Sequence, residues 1–420
     1  MPGVFFDPPL WLQRQTWVLS QLHEHRSDSI LEIGCSEAPL LQAVFPPPLY
    51  IYPSQEWRER GKRATRLANH MIFDPPSIAP KRVTIMDVDF RILQEPIEWL
   101  RKEQNYSGSP ELSQRWYDFH VKVLCASLDQ DFSSKVGQVD VVVATEVIEH
   151  LHEDMLARFA PSILGRYRPK VLLITTPNYS FNEKFVQIAT GERTFLDPTK
   201  RTDRYFRHYD HKFEWTTAEF SQWCQEIAHT YGYSVELGGV GEGNPRKKPR
   251  RHSSESLIEE SEEARHASHT AVFLRLEGDE LVQSLQTGVN ALSLQSSSNV
   301  TPSHPDLEID FIFPAIDFDF GQGVDILELT KEVIVDLGER MEKQMGASHL
   351  YKADIWTVWM CPDVRIVCRG RIDDWLQAIG ITFGEDTVHC QSSISLQVEG
   401  RGLRLICQVE EEQDQQPYQP

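Results

Sequence analysis

The feature that most constrains this chain is a short apolar run that breaks on one glycine and resumes as a helix. Ser29 to Ile33 (SILEI) has strand length, Gly34 permits a tight turn, and Glu37 to Val44 can start a helix. A strand apolar at nearly every position needs cover on both faces, which a layered α/β architecture provides. The same alternation continues downstream. Strand-like runs at Arg82 to Val88 (followed by Asp89), Phe119 to Cys125, Val139 to Thr145, Val171 to Thr175, Tyr233 to Leu237 and His269 to Leu276 are interleaved with helical ones. The helical runs are Ile92 to Glu103, a stretch from Leu151, and Thr216 to Thr230, with a further amphipathic helix over Leu10 to Glu24 after the Pro8-Pro9 break. The pattern predicts a mostly parallel, doubly wound sheet.

Two segments interrupt it. Residues 46–80 carry prolines at both ends around a polar, basic middle, which suits an inserted surface excursion. Residues 245–266 join a basic block, RKKPRRH, to an acidic one, a composition that cannot build a core. Residues 278–306, rich in Ser, Gln and Asn, read as a linker. From 307 to 410 the runs IDFIFP, ADIWTVWM, VRIVC, SISLQV and LRLICQV read as strands and Asp325 to Gln344 as a helix, so a smaller α+β domain is expected there, with a disordered tail over 411–420.

Charge sharpens the division. The 42 basic and 62 acidic residues give a net charge of −20, which by itself argues against a nucleic-acid partner. Residues 1–250, however, hold 30 Lys and Arg against 32 Asp and Glu, leaving 12 against 30 for residues 251–420. The acidity belongs to the C-terminal part. Seven scattered cysteines without a CxxC pair indicate neither a zinc site nor a disulfide framework. The N-terminus lacks a signal-peptide pattern and no run of 18 apolar residues occurs, so an intracellular, non-membrane protein is expected, cytoplasmic with a nuclear address as the second option.

Three segments carry chemistry. In the first, Ile30 to Glu37, the turn at Gly34 lets backbone approach a nucleoside cofactor, and Asp89 at the end of the next strand can accept from ribose hydroxyls. In the second, Glu146 ends a strand, and Glu149 and His150 follow three and four residues later, one helical turn on. Two carboxylates and an imidazole on one side form three legs of a mixed oxygen and nitrogen divalent-metal site. In the third, Arg204 to Thr216 (RYFRHYDHKFEWT), His208 or His211 could supply the fourth ligand, and arginines among aromatic residues suit phosphate contact with base stacking.

Together these segments resemble the Hua-enhancer family of small-RNA 2′-O-methyltransferases over about residues 5–277. The resemblance rests on Phe6-Asp7-Pro8-Pro9-Leu10 with Gln13-Arg14, on ILEIGCSE, on ATEVIEHL, on Thr176-Pro177-Asn178 with Phe181-Asn182, and on Asp210-His211-Lys212-Phe213-Glu214-Trp215-Thr216. It implies a Rossmann-like class I S-adenosylmethionine-dependent methyltransferase sheet over residues 1–277, with the two insertions lying outside the resemblance. It places the catalytic metal ligands on Glu146, Glu149, His150 and His211, and the S-adenosylmethionine pocket on Glu32, Gly34, Asp89 and Ser127. Ser36 replaces a family glycine, and Asp87 stands where a glycine usually precedes the ribose-binding acid.

The implied reaction is 2′-O-methylation of the 3′-terminal ribose of a small RNA, single-stranded or duplex, which protects that end. The implied ion is Mg²⁺ or Mn²⁺, with two imidazoles tilting the choice toward Mn²⁺. The C-terminal region is a candidate contact for an Argonaute-type carrier protein. Two other readings remain open on the residues alone: a metal-assisted O-methyltransferase for a small catechol-like molecule, and a degenerate methyltransferase domain that binds RNA or protein.

Overall fold

The computed structural model describes residues 4–48, 55–64, 78–105, 115–128, 130–185, 195–245, 262–277, 307–315, 324–342, 350–384, 387–399 and 402–408. RKKPRRH, the linker at 278–306 and the tail at 411–420 lie outside them.

Eight strands build the central sheet: β1 (Ser29–Ile33), β2 (Arg82–Asp87), β3 (Phe119–Cys125), β4 (Val141–Thr145), β5 (Val171–Pro177), β6 (Tyr233–Glu242), β7 (His266–Arg275) and β8 (Glu308–Phe313). Their order is β8-β3-β2-β1-β4-β5-β7-β6. The five central strands, β3 to β5 in that order, are parallel, whereas β7 runs antiparallel to both β5 and β6. This is the Rossmann-like class I sheet that the motifs imply, and its topological switch point falls between β1 and β4.

The strands are apolar on both faces because both are covered. Leu31, Ile33, Val142, Ala144, Leu172 and Ile174 point into one apolar layer, which includes Phe159 of α4 (Glu153–Ala160) and Phe220 of α5 (Thr217–Tyr231). Ile30, Val141, Val143, Val171 and Leu173 point into the other, beneath Val18 and Leu22 of α1 (Leu10–His25) and Leu93 and Ile97 of α3 (Phe90–Gln104). A short helix, α2 (Pro39–Val44), follows the glycine turn. Helix α5 is written in its ends: Thr216 and Glu219 close a capping box, and Gly232 stops the helix at φ 74°.

The expected domain boundaries need correction at two places. The run at 307–313, assigned from sequence to a separate domain, adds to the first sheet as β8, antiparallel to β3 from Glu308↔Leu124 to Phe313↔Phe119. The chain divides into one unit of residues 1–46, 78–106 and 119–313 and a second of 47–77, 107–118 and 314–420. The proline-bounded segment is therefore no simple surface excursion from the first unit. Its helix Gln55–Ala64 belongs to the second, where Trp57 meets Phe383 edge to face at 5.2 Å.

The second unit is α+β, as expected, but two of its expected strands are helices: Ile355–Trp359 and Pro362–Val367. Asp354 caps the first by accepting from the Trp356 and Thr357 amides, and Ile355, Val358 and Trp359 bury at helical spacing. Pro362 opens the second at its first turn. Short apolar runs do not separate strand from helix by pattern alone. No described helix is long and apolar enough to cross a membrane.

Candidate active site

The C-terminal ends of β1, β2 and β3 lie side by side, since Ile33 pairs with Met86 and Met86 with Leu124. Gly34, Asp89 and Ser127 leave those three ends, so the structure brings the expected cofactor residues to one edge. Gly34 has φ 65°, and a Cβ there would stand 2.7 Å from Val147 Cγ2. Only glycine fits both the backbone and the space. Ser36 and Ala38 in the same turn also have positive φ, at 49° and 56°, so the serine that replaces the expected glycine sits in a conformation glycine would adopt more cheaply.

Glu32 lies buried inside β1 with Oε2 unpaired, and burial pushes its carboxyl up to about 8. A cation bound nearby would favour its ionised form. Asp89 caps α3 through the Arg91 amide and holds the Arg91 guanidinium at 2.7 and 3.0 Å, so its carboxylate is engaged on the protein's own groups. The Asp89 amide in turn donates to Asp87 at 3.0 Å, which gives Asp87 a role in shaping this turn. The Ser127 amide donates to Gln130.

Across the switch point, β4 delivers Glu146. Its φ is 54°, a left-handed conformation costly for a residue with a side chain, and it turns the chain sharply out of the sheet. Glu149 and His150 then follow on a 3-10 turn (Ile148–His150) rather than on the α-helical turn expected from their spacing. Glu146 accepts from the Thr175 hydroxyl at 3.0 Å and from Arg14 at 2.9 Å. Glu149 is completely buried and accepts from the Thr176 hydroxyl at 2.9 Å, while its other oxygen has no partner. Burial, and then the Glu146 charge, drive its carboxyl well above the ordinary range.

The segment 208–214 closes over this pair. Its Lys212 amide donates to the Glu149 carbonyl at 2.7 Å, and nitrogens of His150, His208 and His211 come within 4.8 Å of one another. The hydrogen bonds separate the three imidazoles. His150 Nδ1 meets Asp210 at 3.0 Å and His211 Nδ1 meets Glu214 at 2.6 Å. Burial raises both acids, but Lys212 beside Asp210, and the His211 hydrogen bond with the Arg207 charge beside Glu214, hold them below the usual carboxylate range, so they accept and the two Nδ1 atoms donate. In a neutral ring so oriented Nε2 keeps its lone pair, the state a metal ligand requires. His208 differs: its Nδ1 accepts from the Asp210 amide at 3.3 Å, which puts the ring proton on Nε2. Of the two histidines left open by sequence, His211 is the better donor.

Several contributors carry no role in the sequence reading. Glu214, buried, orients His211, accepts from the Arg207 amide at 2.9 Å and is bonded by the Asn182 side chain. Asp210 does the same for His150. Thr175 and Thr176 aim the two carboxylates from the end of β5. Arg14 also donates to Ser268 at 3.0 Å, tying the N-terminal helix to the site. Trp215 anchors the segment, its carbonyl accepting from the Tyr179 amide and from buried His269. The i to i+3 spacing of His211 and Glu214 was a usable signal for one of these. The others arrive from distant strands.

A divalent cation fits this donor set. The unpaired buried oxygen of Glu149, the Glu146 carboxylate and two imidazoles with oriented Nε2 atoms are donors of the kind such an ion takes; Arg14 and buried Arg207 lie beside the carboxylates, and the nitrogens within 4.8 Å of one another are those of His150, His208 and His211.

No protein-family model matches the chain. The chain is 28% identical over 241 residues to a small RNA 2′-O-methyltransferase of Arabidopsis thaliana, covering 57% of this chain and 22% of that protein. It is 28% identical over 251 residues to the Drosophila melanogaster protein of the same name, covering 59% and 52%. It is 29% identical over 238 residues to that of Xenopus tropicalis, covering 57% and 51%. The match thus spans about half or less of these relatives. A crystal structure of small RNA methyltransferase HEN1 aligns at a TM-score of 0.44 with 27% identity, covering 66% of this chain and 27% of the other. Over rather more than half its length the chain is similar in sequence to small RNA 2′-O-methyltransferases.

Proposed function

We propose that the first unit transfers the methyl group of S-adenosylmethionine to the 2′-hydroxyl of the 3′-terminal ribose of a small RNA, with a divalent ion as cofactor. The observation that carries the reading is the buried, unpaired carboxylate oxygen of Glu149 beside Glu146 and two carboxylate-oriented imidazoles. In it, Glu146, Glu149, His150 and His211 hold the ion. When bound, Mg²⁺ or Mn²⁺ supplies Lewis-acid activation of a vicinal diol, lowering the pKa of the 2′-hydroxyl.

The chain's own residues do the rest. Asp210 and Glu214 fix the tautomers of His150 and His211. Gly34, Glu32, Asp89 and Ser127 form the cofactor edge, where Glu32 faces the cationic cofactor and Asp89 exchanges Arg91 for the ribose hydroxyls. In this reading both ligands meet outside the switch point, which would hold the methyl group and the hydroxyl for in-line transfer. The 2′-oxygen gains the methyl, the sulfonium leaves as a neutral thioether, and the hydroxyl proton passes to solvent.

The test is incubation with a short single-stranded RNA, S-adenosylmethionine and Mn²⁺, followed by periodate. Protection of the 3′ end by wild type and its loss in His211→Ala are expected. Absence of protection with wild type, or full activity in His211→Ala, overturns the reading.

A further inference from the structure

Beside the carboxylate and histidine cluster stands a small built surface that the reaction itself does not use. Phe195–Leu196 pairs with Tyr205–Phe206 as a two-stranded hairpin. Its turn is pinned from inside. Asp197, buried, accepts from the amide and hydroxyl of Thr199 at 2.7 and 2.5 Å and from those of Thr202 at 2.9 Å each. Four bonds to one carboxylate leave the turn little freedom, and it presents Lys200 and Arg201 outward, Lys200 at φ 58°.

A file of rings runs from this hairpin to the cluster. Phe195 lies 6.1 Å from Tyr209, Tyr209 lies 4.5 Å from His208, and His208 lies 5.2 Å from His211. The outer members face solvent: Tyr209 is 69% exposed, Tyr205 51% and Phe195 37%. Large aromatic side chains held in the open are costly to solvate, and a row of them beside cations is the arrangement that stacks unpaired bases while holding their phosphates. An open cavity of about 680 Å³ lies along the same hairpin, lined by Glu153, Asp154, Pro198, Thr199, Arg201 and Lys212, with Arg201 3.5 Å from Glu153.

We infer that the ring file Phe195, Tyr209 and His208, with Lys200 and Arg201 on the Asp197-pinned turn, binds the nucleotides just upstream of the reacting 3′ end of a single-stranded RNA. This rests on the proposed function and adds to it the path by which the strand reaches the cluster. A duplex end would have to fray to lay its bases on this file.

The test uses the full chain and two probes that share a 3′-terminal sequence: a fluorescein-labelled 20-nucleotide single-stranded RNA and a dinucleotide. Anisotropy of the 20-mer is expected to show Kd weakened about fivefold or more in Tyr209→Ala and in Phe195→Ala. In the double variant Lys200→Glu, Arg201→Glu, Kd should weaken and the log–log salt slope should fall by about 0.7 for each phosphate that is no longer neutralised. In methyl-transfer assays the loss should sit in KM for the 20-mer and shrink for the dinucleotide, with melting temperatures confirming that the variants fold. Wild-type 20-mer binding in all three variants overturns the inference and assigns the surface to another partner, such as a protein. Equal losses on 20-mer and dinucleotide overturn it also, since the residues would then act on the reacting end. If wild type transfers no methyl group yet binds the 20-mer through Tyr209, the proposed reaction falls and this surface stands.

Discussion

Glu149→Gln separates stability from metal binding in one substitution. In the metal-free protein Glu149 is wholly buried, one oxygen has no partner, and Glu146 lies close enough to raise its proton affinity. Glutamine keeps the acceptor for the Thr176 hydroxyl and removes the charge that burial and Glu146 both oppose. Leaving a buried polar group unsatisfied costs about 1–3 kcal/mol. Recovery of about 2 kcal/mol corresponds to a rise of about 4–8 °C in Tm for a unit of this size. In Mn²⁺ at a hundred times Kd, wild type gains about 2.7 kcal/mol that the variant lacks. Thermal unfolding in EDTA and in Mn²⁺ should therefore show the order of the two proteins reversing. A variant several degrees less stable than wild type in EDTA, or one that keeps the full Mn²⁺ shift, refutes the reasoning.

Other expectations follow from the cofactor edge and the anchor beneath the histidine segment. Ser36→Gly should stabilise the fold by about 1 kcal/mol, because a left-handed residue with a side chain costs about 1–2 kcal/mol; a lower melting temperature contradicts this, as does any loosening of S-adenosylmethionine binding. Gly34→Ala should weaken it about tenfold or more, with partial rescue by Val147→Ala, whose side chain the new Cβ would meet. Glu32, pushed up to about 8 in the fold, favours stability below its unfolded value near 4.5 and loses that contribution as pH rises through 8. Glu32→Gln should accordingly stabilise the cofactor-free protein at pH 7, by about 3 kcal/mol at most, and abolish proton release on cofactor binding, read as the buffer dependence of the binding enthalpy. His269 is pushed down to about 4 by burial, so its contribution is full above about 6.5 and is lost as pH falls through 4. That amounts to about 3 kcal/mol, and His269→Gln, which keeps a donor for the Trp215 carbonyl, should flatten the acid limb of a Tm against pH curve.

What could be read from sequence was what is local. The glycine turn after β1 and the helix that begins at Thr216 are set by residues close together in sequence, and the structure has both. Backbone detail was less legible. Nothing in ATEVIEHL announces that Glu146 takes φ 54° and leads into a 3-10 turn, because that strain is imposed by the strand end and its neighbours. The orientation of the site was hidden for a different reason. Thr175, Thr176 and Arg14 reach the carboxylates from segments far away in sequence, and the pairing of β8 with β3 joins residues about 190 positions apart. An apolar run identifies a strand but not its partner, which is why IDFIFP was placed in the wrong domain.

The central claim is that the cluster presents the 2′-oxygen of a terminal ribose to a sulfonium methyl. The most direct measurement is mass spectrometry of nucleosides released from a single-stranded RNA after reaction with isotopically labelled S-adenosylmethionine, with and without Mn²⁺. The account predicts label only in the 2′-O-methyl nucleoside from the 3′ end, dependent on Mn²⁺ and lost when the RNA ends in a 3′-phosphate. Label on a base or an internal ribose, equal transfer to the 3′-phosphate RNA, or no transfer at all would contradict it.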